Sequence, residues 1–111
     1  MKIDVRHFDE VIVVDLNGRL VAGDGADILG EVVSALLEEH WTKILLNFEK
    51  VTTIDSTGAG ELVASLKAAK SAEASLKLLR PRERVAKSLQ IGQLLPLFEI
   101  FADESDAVKS F

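Results

Sequence analysis

The sequence predicts an α/β domain: a mixed, mainly parallel sheet that opens with a β-hairpin and carries about four helices. Three observations support this. Short β-branched or apolar runs recur at residues 11–16, 43–49 and 75–79. Between them lie longer stretches whose apolar residues repeat at i, i+3, i+4 and i+7, the helical period. Nothing resembling a repeat, a low-complexity tract or a linker interrupts the alternation, so the expectation is one domain over residues 1–111.

Taken in order, "KIDVRHF" at 2–8 alternates, with Ile3, Val5 and His7 on one face and Asp4, Arg6 and Phe8 on the other. A period of two predicts a strand. "VIVVDL" at 11–16 reads as a strand buried on both faces. Asp9-Glu10 is then too short for anything but a hairpin turn. "NGRLVAGDGAD" reads as a loop, and the apolar stripe 28, 29, 32, 33, 36, 37 predicts a first helix with Asp24 or Asp27 as its cap. "KILLNFE" predicts the next strand, and the stripe 59, 62, 63, 66, 69 the next helix, with Lys67 and Lys70 near its negative end. "SLKLL" follows as a strand. Pro81 opens a third helix that Gly92 closes, since proline is tolerated at a first helical position. "LFEIF" reads as a last strand, and Asp103 caps a terminal helix. Strands that alternate with helices imply parallel pairing through right-handed crossovers.

Bulk composition excludes several function classes. There is no cysteine, which removes disulfides, thiolate metal sites and thiol catalysis, and which fits a reducing, cytoplasmic setting. The longest charge-free run, "SLQIGQLLPLF", falls well short of the ~20 residues of a membrane helix, so no membrane association is expected. Eighteen acidic residues against thirteen basic ones leave a net charge of -5. Nucleic-acid binders usually carry a basic face. The one basic cluster, "RPRER", reads as a solvated helix start, so nucleic acid is not an expected partner.

The informative stretch is "VTTIDSTGAGEL" at 51–62. It places Ser56 just past the C-terminal end of a central strand, the edge where open α/β sheets carry their sites. Dinucleotide binding needs a third glycine where Val63 stands. A P-loop needs lysine after its last glycine, and Glu61 follows Gly60. A serine nucleophile needs a base. The two histidines are His7, on the first strand, and His40, expected at the opposite end of the sheet. Asp55 has no second ligand at metal spacing. The simplest remaining reading is a helix cap by Asp55 or Ser56. Capping alone leaves Gly58 and Gly60 unexplained, because each costs about 0.8–1 kcal/mol relative to alanine inside a helix. Glycine suits a place where another backbone or a bulky group comes close. A hydroxyl at a helix N-terminus also suits phosphorylation, since free amides and the dipole tolerate the dianion.

"DSTGAG" after a strand, with "GRL" after the second strand, "LLNFEKVTTIDSTGAGEL", "SLKLL" and "IGQLLPLFEIF", resembles the STAS family, specifically its single-domain anti-sigma factor antagonists, over the whole chain. The resemblance implies a bacterial, cytoplasmic phospho-switch without catalytic activity or cofactor. Its unphosphorylated form would bind an anti-sigma factor serine kinase and so free a sigma factor. Phosphorylation of Ser56 would end binding, and a metal-dependent serine phosphatase acting on phospho-Ser56 would restore it. The expected partner-binding residues are Gly23, Asp24 and Gly25 in the first loop, and Asp55, Thr57, Gly58, Ala59, Gly60 and Glu61 around the serine. The chain itself would be a monomer or weak dimer. A scaffold or transporter-accessory role without a switch is the alternative. The sequence departs from the family pattern at Ala59, where leucine is usual and the docking surface becomes less apolar. It departs again at Glu61, where an apolar residue is common, and at "SAEAS", where a glycine pair is usual.

Overall fold

The computed structural model describes residues 1–111. Its strands are β1 (Lys2–Phe8), β2 (Val11–Leu20), β3 (Lys43–Ile54), β4 (Ser75–Leu79) and β5 (Ile100–Phe101). Its helices are α1 (Gly25–Glu38), α2 (Ser56–Ser71), α3 (Glu83–Ile91) and α4 (Glu104–Lys109). The element order is the one the hydrophobic periods predict. The sheet runs β1-β2-β3-β4-β5, antiparallel between β1 and β2 and parallel thereafter.

That strand order decides how the faces are covered. Each parallel step moves in the same direction across the sheet. Right-handed crossovers therefore drop α1, α2 and α3 onto one face. Leu29, Val33 and Leu36 of α1, Leu62, Leu66 and Ala69 of α2, and Val85 and Leu89 of α3 meet Val14, Leu16, Ile44, Leu46, Phe48 and Leu78 there, in a core of 20 buried residues. The other face has only the short α4, whose Ala107 covers Val11, Val13, Leu45 and Leu79. At about 1.5–3 kcal/mol per buried aliphatic or phenyl side chain, the first face holds most of the hydrophobic stabilisation.

Polar anchors supplement the thin second face. Lys77 is buried in β4, and its ammonium donates to the Ser110 carbonyl and hydroxyl, both at 2.9 Å. It lies 3.1 Å from Glu99 and 4.5 Å from the Phe111 ring centroid. Arg6 bridges Asp15, at 2.7 Å, and Glu104, at 2.6 Å, and thereby ties the start of α4 to the hairpin. These carboxylates raise the Arg6 pKa further, and Arg6 in turn lowers that of Asp15.

The boundaries differ from the sequence expectation in four places. Asn17–Leu20 belongs to β2 rather than to a loop, and β3 runs on to Ile54. The two extensions pair with each other across bulges between Asp15 and Asn17 and between Gly18 and Arg19. Bulges break the period of two, and the apolar spacing of this segment is lost with it. Second, α1 begins at Gly25, and Asp24 makes no side-chain cap; its carboxylate instead takes the Met1 amino group at 2.6 Å, and Asp27 lies within the first turn. Third, α3 starts at Glu83, two residues after Pro81. Fourth, Leu95–Leu97 forms a 3-10 turn around Pro96, which shortens "LFEIF" to a two-residue strand. Asp103 does cap α4, accepting from the Asp106 amide at 3.2 Å.

Lys77→Ala is expected to cost about 2–3 kcal/mol in urea unfolding, since it removes charged hydrogen bonds from a buried position. Glu99, 67% exposed at its side chain, is expected to cost below about 1 kcal/mol on Glu99→Ala.

Candidate functional site

The site forms where β2 and β3 end together, with Leu20 opposite Ile54. The Asp55 amide donates to the Leu20 carbonyl at 3.3 Å, which holds the two strand ends in line. The chain then turns directly into α2. Asp55 is its N-cap, in extended conformation, and Oδ1 accepts from the Gly58 amide at 2.8 Å. Of the two candidates, Asp55 and not Ser56 is thus the cap.

The second Asp55 oxygen reaches another element. Oδ2 accepts from the Ala22 amide at 3.0 Å, so one carboxylate clamps the β2–α1 loop to the start of α2. The amides of Gly58, then Ala22, hold this carboxyl below the ordinary aspartate value. Asp24 is shifted the same way, chiefly by the Met1 amino group. The glycine loop that follows β2 thus lies at the same edge as Ser56, and Asp55 is what joins them.

Ser56 and Thr57 are exposed on the first turn of α2. Gly58 is buried, and a Cβ there would overlap the Leu20 carbonyl oxygen. The backbone that approaches Gly58 is the protein's own. Gly60 lies open to solvent, and a Cβ there would meet nothing within 4 Å. In the loop, Gly23 is exposed, Asp24 half-buried, and Gly25 buried beneath the Met1 side chain.

A groove of about 560 Å³ runs beside Ser56, lined on the α2 side by Ile54, Ala59 and Val63 and on the α3 side by Ile91 and Leu94. Ile91 is 76% exposed. Sequence reasoning does not place the end of α3 here. The signal for it is the uniform direction of the crossovers, which puts α2 and α3 side by side. Ala59 and Gly60 line this groove with Ser56. Glu61 does not: it leans the other way, over Gly30 of α1, into an acidic depression with Asp27, Glu31 and Glu38.

No histidine stands near the serine, and both oxygens of the adjacent Asp55 carboxylate already accept from backbone amides. His40 flanks a depression with Asp9 and Glu10, and the His7 ring lies 6.1 Å from Trp41, both at the start of β3 and so a full strand length away. No cluster of three or more His, Asp or Glu side chains is placed to hold a metal. No helix is long and apolar enough to cross a membrane.

Fold and site together define an α/β module that presents a serine at a helix start beside an apolar groove. A family model described as the STAS domain matches residues 2–107, and the chain belongs to that family. A Thermotoga maritima protein assigned as an anti-sigma factor antagonist superimposes with a TM-score of 0.89 at 26% identity, over 97% of this chain and 92% of that one. The phosphorylated form of SpoIIAA, a Bacillus cell fate determinant, gives 0.74 at 22% identity over 98% of both chains. A sulfate transporter family protein from Wolinella succinogenes gives 0.80 at 22% identity, over 91% of this chain and 84% of that one. The last two likenesses are of fold alone.

Gly58 and Gly60 are expected to respond oppositely to alanine. Gly58→Ala forces a methyl group into the Leu20 carbonyl and is expected to destabilise by about 1–3 kcal/mol. Gly60→Ala gains helix propensity at an open position and is expected to stabilise by up to about 1 kcal/mol. Urea denaturation of both variants checks this. The lowered Asp55 pKa gives a pH sign as well. The bound carboxylate contributes stability above the ordinary aspartate value of 3.8 and loses it as pH falls through the lower folded value. Asp55→Asn does not titrate, so its stability is expected to fall less steeply than that of the wild type on the acid side of a pH series of thermal melts.

Proposed function

We propose that this protein is an anti-sigma factor antagonist whose Ser56 is a phosphorylation switch. The observation that carries the reading is an exposed serine hydroxyl on the first turn of α2, clamped to the β2–α1 loop by Asp55 and bordered by an apolar groove. A hydroxyl with no histidine within reach, beside a carboxylate already committed to backbone amides, is a poor nucleophile but a good acceptor for another protein's kinase site. The chain accordingly has no catalytic activity of its own and acts in the cytoplasm.

In the unphosphorylated state, the surface from Gly23 and Asp24 to Thr57, Ala59 and Gly60 docks an anti-sigma factor serine kinase, with Glu61 supporting it from the flank and Gly25 and Gly58 from beneath. The sigma factor is thereby released. Phosphorylation adds nearly two negative charges beside the Asp55 carboxylate. The helix N-terminus tolerates that charge in the free protein. A partner surface built to cover a neutral hydroxyl and an apolar groove does not, so the complex dissociates. A serine phosphatase then resets Ser56.

The likeness to a sulfate transporter family protein favours a second reading, a binding module in a larger assembly that is never switched.

The test is capture of the anti-sigma factor kinase by wild type, Ser56→Ala and Ser56→Asp. Alanine is expected to retain the partner and aspartate to weaken it at least about tenfold, the ~1.4 kcal/mol that a repelled charge readily supplies. Incubation with kinase and ATP is expected to add one phosphate to wild type and none to Ser56→Ala. Equal binding by all three proteins, with no phosphate transferred, supports the scaffold instead.

A further inference from the structure

The sheet has two edges of very different character. β5 is only two residues long, so it offers little to pair with. β1 is seven residues long, and its outer side has no neighbour. In an antiparallel ladder every second residue of β1 turns its N–H and C=O away from β2, which leaves a row of free backbone groups along this edge. Val5 is 51% exposed and Phe8 43% exposed on it. Lys2 and Asp4 enter none of the ion pairs, although both are charged.

We propose that β1 is a self-association edge, which pairs antiparallel with β1 of a second copy about a two-fold axis at Val5. The argument rests on register. With Val5 opposite Val5, Asp4 faces Arg6 of the second copy, Lys2 faces Phe8, and Ile3 faces His7. Val5 against Val5 is apolar, Asp4 against Arg6 oppositely charged and Lys2 against Phe8 cation against ring, combinations that stabilise neighbouring strands, and Ile3 against His7 brings no like charges together. Sliding by two residues one way sets Asp4 against Asp4 and Lys2 against Arg6. Sliding by two the other way sets Arg6 against Arg6. A one-residue slide sets the main-core face of one copy level with the α4 face of the other. Among the in-phase registers that pair five or more residues, this one alone is free of like-charge pairs. Arg6 has capacity for it: four hydrogen bonds to Asp15 and Glu104 occupy four of the five guanidinium N–H donors.

The same charges that make this register favourable penalise the two neighbouring in-phase registers. A seven-residue strand contact belongs to the small interfaces, below about 1,200 Å², and the dimer is therefore weak. It is independent of the reading of Ser56, which lies on another edge of the sheet.

Sedimentation equilibrium tests this on the full chain. The wild type is expected to move from 12.1 kDa towards twice that mass as concentration rises into the high micromolar range. Asp4→Arg, which sets the introduced arginine against Arg6 of the second copy, is expected to stay monomeric with an unchanged thermal melt. The chain has no cysteine, so single cysteines report the register directly. Val5→Cys is expected to form a disulfide dimer under mild oxidation at least about tenfold faster than His7→Cys, because directly opposed residues meet disulfide geometry. A wild type that remains at the monomer mass into the millimolar range overturns the proposal. So does a dimer that Asp4→Arg leaves intact, or a His7→Cys variant that couples as fast as Val5→Cys.

Discussion

The junction between the end of β2 and the start of α2 is the contact on which the site depends. Leu20 supplies its carbonyl to the Asp55 amide and leaves no room for a side chain at Gly58. Asp55 then commits one oxygen to α2 and the other to the β2–α1 loop. Two segments more than thirty residues apart in the chain, the end of β2 with the loop that follows it and the start of α2, are thereby locked together. Ser56 gains its fixed position from this lock and not from any bond of its own hydroxyl. The candidate switch residue is positioned entirely by its neighbours.

The strand order explains the rest of the architecture. Parallel strands added in one direction put three helices on one face and leave the other to α4. The larger core can therefore hold the fold while the second face relies on charged anchors, Arg6 to Glu104 and Lys77 to Ser110. The uniform crossover direction also brings α3 alongside α2, which builds the groove beside the serine. Fold stability and the candidate docking surface thus come from the same topological rule.

Much of this is legible in the residues. Element types and order follow from apolar periods, and the place of Ser56 follows from its position after a strand. The Asp-Ser-Thr-Gly motif leads to the family. What is not legible has identifiable causes. The bulged ends of β2 and β3 carry Asn17, Lys50 and Thr52 between buried Val51 and Leu20, so their period is scrambled and the end of β2 reads as loop. Asp24 looks like a cap, but a partner 23 residues away claims its carboxylate. Gly58 and Gly60 look alike in sequence, yet one is crowded by its own backbone and the other is not. Periodicity reports on local burial, and each of these features is set by a contact distant in the chain.

The lengths of the strands have a consequence of their own. β4 pairs with β3 only as far as Asn47, so the last seven residues of β3 have β2 on one side and no strand on the other. The end of α3 occupies the flank of that gap. Under the proposed function, partner choice and the switch would fall on different parts of the chain. Substitutions at Ile91 or Leu94 remodel the groove without touching the Leu20–Asp55–Gly58 lock. Under the proposed function, the groove can change the protein it meets while Ser56 and its clamp stay as they are.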